Sequence, residues 1–389
     1  MAVLEFGTAK ARAGQKAWGQ LEVREGGKRV RIPTVVVNGR EEGEHVVILA
    51  NQHGAEYNGI EAIRRFCEEV DPRTMKGSVF AIPTANPRAG MLCNEFFPEN
   101  EPPDRLRAYR SGRNRPPGFD RNACPYNMNR RWPGQKGSGL LVDRVVYEIW
   151  NRAVMASHRR ASLLVDFHCH QSPSAIYATF RRDVDLGVVT GIPAVIHTRS
   201  AAKPPQRPYS RIACYQAGIQ ALTIELGGQR AFRSVSVEQG RVGIANLLKF
   251  WGLLPGRLRL PERTVILDPW RNSMEDHEYA RPSYAPCEAQ QEGLVVEYQS
   301  AYERVRAGDL ICQVLDPFTG KVIQEGRADM NGVMYTPPRP EAPCRKGDRL
   351  FAVSIARRVR TADYVRKLDA ATCKARIPHD PDCEIEFGR

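Results

Sequence analysis

No apolar run in this chain is long enough to cross a bilayer. The longest, of the kind Val46-Val47-Ile48-Leu49-Ala50, fall far short of the roughly 20 residues that a spanning helix needs. The first residues, Met1-Ala2-Val3-Leu4-Glu5-Phe6-Gly7, lack the basic-then-apolar layout of a secretory leader, so a cytoplasmic protein with no membrane contact is expected. None of the ten cysteines forms a Cys-x-x-Cys pair. That argues against a zinc ribbon and against a compact disulfide framework, and leaves free thiols in a reducing compartment. Internal repeats and low-complexity tracts are absent. Histidine is scarce, with eight in 389 residues, so any clustering of it carries information.

Charge is not balanced. The 57 Lys and Arg against 44 Asp and Glu give +13, concentrated in Arg105 to Arg131 and Arg357 to Lys374. Neither segment interleaves aromatics with basic residues in the manner of a base-stacking surface, so nucleic acid is a poor candidate partner. A small anionic substrate, or a solvated basic face, accounts for the surplus equally well. A homo-oligomer is neither required nor excluded.

At this length the chain can hold one large core and a smaller accessory one. His45 to Ala50 reads as a buried strand and is followed by a helix from Asn58 to Val70, with Ile60, Ile63, Phe66 and Cys67 at helical spacing and Asn58 as its N-cap. Ser78 to Ile82, Leu163 to Phe167, Pro193 to Ile196 and Ala221 to Ile224 read as further strands. Leu141 to Ser157 and Val242 to Leu254 read as helices. Arg88 to Gly139 has no periodicity, and a loop of that length is usually functional. This alternation predicts an α/β fold with a mostly parallel central sheet flanked by helices. From Gly293 to Ile355 short β segments with repeated Gly turns predict an all-β barrel or sandwich. The expected organisation is a catalytic domain over residues 1–282, a β module over 283–356 and a poorly ordered basic tail over 357–389.

Four motifs sit where strands end, the rim at which open parallel sheets bind ligands. His53 and Glu56, in Asn51-Gln52-His53-Gly54-Ala55-Glu56, are three apart on a tight turn and can converge on one ion. Asp166-Phe167-His168-Cys169-His170 places alternate residues on one face. Catalytic zinc takes three protein ligands and keeps a position open, and His53, Glu56 and His168 make such a set, with His170 as the alternative third ligand. Glu225, in Thr223-Ile224-Glu225-Leu226-Gly227-Gly228, ends a buried strand, where a carboxylate is costly unless paired, metal-bound or kept for proton transfer. Asn129 and Arg130, in Asn127-Met128-Asn129-Arg130-Arg131-Trp132-Pro133-Gly134, suit capture of a substrate carboxylate.

In this order, His-x-x-Glu, Asn-Arg-x-aromatic-Pro-Gly, Asp-x-His and Glu-x-Gly resemble the succinylglutamate desuccinylase/aspartoacylase family of the zinc carboxypeptidase superfamily. The resemblance runs from about Gly7 to about Ile355 and includes Pro83-Thr84-Ala85-Asn86-Pro87. It implies a zinc carboxypeptidase-like fold and one zinc per chain on His53, Glu56 and His168. It also implies a substrate carboxylate on Asn129 and Arg130, Glu225 as general base, and hydrolysis of an amide in a small N-acyl amino acid. The chain departs from the family pattern at Asn127, where an Asp usually orients the first zinc histidine. The longer loop before Asn129 leaves the oxyanion-stabilising Arg open among Arg110, Arg113, Arg115 and Arg121. The competing readings are a zinc carboxypeptidase acting on peptides and a basic nucleic-acid-binding protein with a vestigial metal site. A carrier module is disfavoured, because the hairpin Asp329-Met330-Asn331-Gly332 has no Lys at its tip.

Overall fold

The run from Val46 to Ala50 is apolar throughout because both of its faces are covered, deep within a ten-stranded sheet. The computed structural model describes residues 2–98, 124–180, 184–197, 208–267, 284–336 and 342–375. Across the sheet the strands run Ala356–Arg360, Arg263–Leu267, Ala194–His197, Tyr177–Phe180, Gln220–Glu225, Leu163–His168, Glu41–Ala50, Lys76–Ile82, Lys28–Asn38 and Gln15–Glu25. The central strands from Gln220 through Lys76 are mutually parallel, as the strand–helix alternation predicts, and antiparallel partners are added on both sides. Period-2 geometry sends Val47 and Leu49 to one face, with Phe80, Leu164 and the helix Leu141–Ile149. Val46 and Ile48 go to the other, with Ile63, Phe66 and Leu247.

Helix boundaries show where local signals lose to packing. The helix Asn58–Glu69 begins without a side-chain cap. Asn58 is instead committed to tertiary contacts: its Nδ2 donates to the carbonyls of Gly227 and Gly228 at 2.9 and 3.0 Å, and its Oδ1 accepts from Arg233 N at 2.8 Å. The helix expected from Val242 spans Ser234–Phe250. Gly240 obscures its start in the sequence but is required by packing, since a methyl there would come within 2.9 Å of Ala62 and Leu226 side chains. The N-terminal hairpin Gln15–Glu25/Lys28–Asn38, closed by Gly26-Gly27 with positive φ at both, extends the sheet on a side that strand–helix alternation does not announce.

The β module consists of two four-stranded sheets. One orders Tyr284–Glu288, Arg349–Ser354, Gly332–Thr336 and Arg304–Val305. The other orders Val322–Arg327, Leu310–Leu315, Gly293–Glu297 and Pro343–Cys344. Ile311, Val314, Met334 and Phe351 fill its core. Beyond the module the chain is folded, through residue 375, rather than a poorly ordered tail. Ala356–Arg360 pairs antiparallel with Arg263–Leu267 as the edge of the large sheet, and the helices Thr361–Arg366 and Ala370–Ala375 come next. Tyr364 anchors the first of these, its hydroxyl donating to Asp185 Oδ1 at 2.7 Å. A basic strand is tolerated here because it lies at an edge, where charged side chains reach solvent. Among the described residues all nine cysteines are free, and no helix is long and apolar enough to cross a membrane.

At the opposite end of the central strands, His45 is fully buried with both ring nitrogens occupied. Nε2 lies 2.9 Å from the Ala153 carbonyl, which can only accept, so Nε2 carries the proton and Nδ1 accepts from Ser78 Oγ at 2.8 Å. Burial, reinforced by His158 and Arg159, lowers its pKa to about 3. The unfolded value is near 6.5, so this depressed group contributes stability that is complete above pH 6.5 and is lost as pH falls toward 3. Between pH 7 and pH 4.5 the wild-type protein is expected to lose roughly 3 kcal/mol more stability than His45→Gln, at about 1.4 kcal/mol per pH unit. Urea midpoints at the two pH values measure the difference, and parallel losses would show that His45 does not control acid stability.

Candidate metal centre

Three adjacent parallel strands end on one rim and bring together residues far apart in sequence. Glu41–Ala50 leads into His53 and Glu56, Leu163–His168 ends on His168, and Gln220–Glu225 ends on Glu225, which is directly opposite His168 in the register. The turn after Ala50 is built by Asn51, whose backbone is left-handed at φ +60°, a conformation that Asn tolerates. Its side-chain amide donates to the carbonyls of His53 and Glu56 at 3.0 and 3.1 Å, holding the turn closed. Gly54 is required here, because a methyl would lie 2.2 Å from the Ala89 backbone.

One donor atom from each of His53, Glu56 and His168 lies within 4.8 Å of the others, and this is the sole such cluster of potential metal ligands among the described residues. The Nδ1 atoms of His53 and His168 face Glu56, at 3.0 Å from Oε1 and 2.8 Å from Oε2 respectively. Their opposite nitrogens are engaged elsewhere. His53 Nε2 lies 3.1 Å from Asn127 Oδ1, and His168 Nε2 lies 3.2 Å from Asp166 Oδ2. An oxygen acceptor at Nε2 keeps a proton there, so that a metal displacing the Nδ1 proton would meet the Nδ1 lone pair facing the cluster, the usual arrangement behind a metal-binding imidazole. Asn127 therefore occupies the orienting position as a neutral acceptor. His170 stands outside the cluster. It lies beyond the strand end, where its Nδ1 accepts from Ser172 N at 3.1 Å, so the alternation that aligns Asp166 with His168 does not extend to it.

All three cluster residues are 3 to 4% exposed, which makes their charges matter. Burial alone would raise Glu56, but the His53 and His168 imidazoles outweigh it and hold the carboxyl well below its usual range. Burial alone would lower His168, yet Asp166 and Glu56 hold it well above its ordinary value. Two imidazole nitrogens and a carboxylate converging in a buried, electronegative pocket fit a divalent ion that prefers mixed N and O ligands.

The surrounding polar network is only partly legible in the motifs. Asp166 Oδ2 accepts from Gln52 Nε2 at 2.6 Å and from the Ser210 hydroxyl, and Gln52 Oε1 accepts from Trp132 Nε1 at 2.8 Å. Gln229 Nε2 reaches Glu56 Oε1 at 3.3 Å. Asn129 Nδ2 lies 3.3 Å from His168 Nε2, and Asn129 Oδ1 accepts from Ser210 N at 3.2 Å. Arg130 stacks its guanidinium 3.9 Å from the Tyr209 ring centroid and donates to the Asn129 carbonyl at 2.8 Å. Its neighbour Arg131 is bound in bidentate fashion to buried Asp143, at 2.5 and 2.6 Å, and so belongs to the scaffold. Gln52, Ser210 and Gln229 carry no motif of their own. Only their approach in space marks them. Arg110, Arg113, Arg115 and Arg121 lie outside the described residues.

Known proteins share this arrangement of strands. A model of the succinylglutamate desuccinylase/aspartoacylase catalytic domain matches residues 42–251. The chain is 23% identical over 366 residues to an N-alpha-acetyl-L-2,4-diaminobutyric acid deacetylase of Halomonas elongata, covering 87% of each protein. The product-bound ectoine utilization protein of Ruegeria pomeroyi superposes with a TM-score of 0.65 at 20% identity, over 91% of this chain and 98% of that one. A succinylglutamate desuccinylase/aspartoacylase from Rhodobacter sphaeroides gives a TM-score of 0.64 at 19% identity, over 88% and 96%. With more than half of its length matched by the family model, the chain belongs to the succinylglutamate desuccinylase/aspartoacylase family.

Proposed function

We propose that this protein is a cytoplasmic zinc-dependent deacylase that hydrolyses the amide bond of a small N-acyl amino acid. The observation that carries the reading is the buried His53/Glu56/His168 cluster with Glu225 beside it on the next strand end. Two nitrogens and one carboxylate are the donor set of hydrolytic zinc sites, and the nine free thiols among the described residues suit a reducing compartment. Zinc held by these three residues would supply a Lewis acid that activates water near pH 7 and polarises a carbonyl, at roughly one ion per chain. Glu225 takes the proton of the attacking water and returns it to the leaving nitrogen as the amide bond breaks. Asn127 and Asp166 keep the two imidazoles in the orientation this requires. Asn129 and Arg130 hold a substrate carboxylate away from the reacting carbon. The products are a carboxylic acid and a free amino acid. The relatives are named for removing acetyl or succinyl groups, so a short acyl group is proposed for the carboxylic acid product.

Arg130→Ala is expected to raise KM about 10-fold or more for substrates with a free carboxylate, and to leave amides without one nearly unchanged. Initial rates on an N-acetyl amino acid and on its decarboxylated N-acetyl amine check this. Equal losses on both would remove Arg130 from carboxylate binding. The carboxypeptidase alternative is tested by comparing kcat/KM on acetylated or succinylated amino acids with that on peptides of four or more residues. The deacylase is expected to prefer the former, and faster cleavage of the peptides would overturn the reading.

A further inference from the structure

The Tyr302 hydroxyl has no hydrogen-bond partner among the described residues, although the residue is only 8% exposed. Leaving a buried polar group without a partner is unfavourable. The backbone of Tyr302 is also left-handed, at φ +67°, a conformation unfavourable for a bulky residue. Neither penalty is relieved by the module to which the residue belongs.

The position of the side chain gives these penalties a purpose. Tyr302 N donates to the Met334 carbonyl at 2.9 Å, its own carbonyl accepts from Arg358 Nη2 at 2.9 Å, and Ala301 N donates to Ser174 Oγ at 3.2 Å. The last of these joins the module's turn to the loop after His168. The ring lies in a buried cluster with Ala194, Ile196, Val265 and Leu267, against which Tyr177 and Tyr335 pack. Tyr177 is the register partner of Glu225, and its ring is 6.0 Å from that of His170. Burial, with Tyr335 and Glu225 nearby, pushes the phenol well above its ordinary value, which keeps it a neutral donor.

We infer that Tyr302 is a substrate-binding residue: its hydroxyl donates a hydrogen bond to an acceptor oxygen of the bound N-acyl amino acid beside Glu225, so that the β module completes the binding site. This rests on the deacylase reading. A buried donor with no partner among the described residues gains its hydrogen bond only from a ligand that carries the acceptor, and so favours such a ligand.

Tyr302→Phe removes only the oxygen. The expected melting temperature is equal to or above that of wild type, because no bond to the described residues is lost. The expected kcat/KM on acetylated amino acids falls about 10- to 100-fold, mainly through KM, and product amino acid, measured by calorimetry, binds more weakly by a similar factor. Comparing an N-acetyl amino acid with its decarboxylated N-acetyl amine identifies the oxygen: equal losses assign the amide carbonyl, and a loss confined to the acid assigns the carboxylate. Wild-type kinetics and binding in Tyr302→Phe would overturn the inference at any melting temperature, while the deacylase reading would stand. If wild-type protein cleaves no N-acyl amino acid, the deacylase reading fails and the inference falls with it.

Discussion

Glu225→Gln is expected to lower kcat by roughly 10²- to 10⁴-fold while the protein keeps its fold and its metal. That factor corresponds to about 3 to 5 kcal/mol of barrier. Gln has nearly the same shape and can still accept a hydrogen bond, but it cannot take a proton from water at neutral pH. Glu225 is half-buried and lies across from His168 in the parallel register, and it is not one of the three proposed ligands. KM should therefore move much less than kcat. Single-turnover rates with metal content measured on the same preparation make the test. Near-normal turnover in a metal-replete variant would give Glu225 a structural role and remove the proposed proton path.

The second large effect is expected at the cluster itself. His168→Ala should lose both bound zinc and measurable hydrolysis, because a site of three ligands reduced to two retains little affinity. It also takes one partner from Asp166, whose Oδ2 faces the His168 ring, and one from Glu56, whose Oε2 does the same. Buried carboxylates that lose a partner are destabilising, so His168→Gln serves as the companion variant, keeping a polar side chain in place. His53→Ala should behave alike, whereas His170→Ala should keep its metal. Elemental analysis of the four proteins separates the cases. Full zinc occupancy in the His168 variants, with loss in His170→Ala, would reassign the third ligand.

Much of this site is legible in the sequence because its residues obey a simple rule. Each stands at the carboxyl end of an apolar run, and in a parallel sheet such ends share one rim. His53, His168 and Glu225 can be grouped on that basis without knowing the strand order. The choice between His168 and His170 is different in kind, since it depends on where the strand stops, and a two-residue alternation carries no such information. Asn58 shows the same limit: the residue type suits a cap, but its amide is spent on the Gly227–Gly228 turn, a contact visible only once the fold is known. The N-terminal hairpin escapes notice because Gln15–Glu25 is largely solvent-facing and its alternation is diluted by Lys, Gln and Glu. The strand Ala356–Arg360 hides behind its arginines. Tyr302 lies furthest from view, because nothing local to it announces that it packs against strands more than thirty residues earlier.

The return of Ala356–Arg360 to the large sheet bears on how the chain is made. Leu267 and Ala356 are register partners, so the whole β module is held between two neighbouring points of one antiparallel pair, in the place where a hairpin would have its turn. A ribosome delivers the strand Arg263–Leu267 first and its outer partner only after the entire module has emerged. During that interval the nascent sheet presents an open edge, able to pair with another chain. Closure of the edge waits for the module, and rapid module folding, by shortening the tether between the two strands, would shorten the period in which nascent chains are exposed to one another.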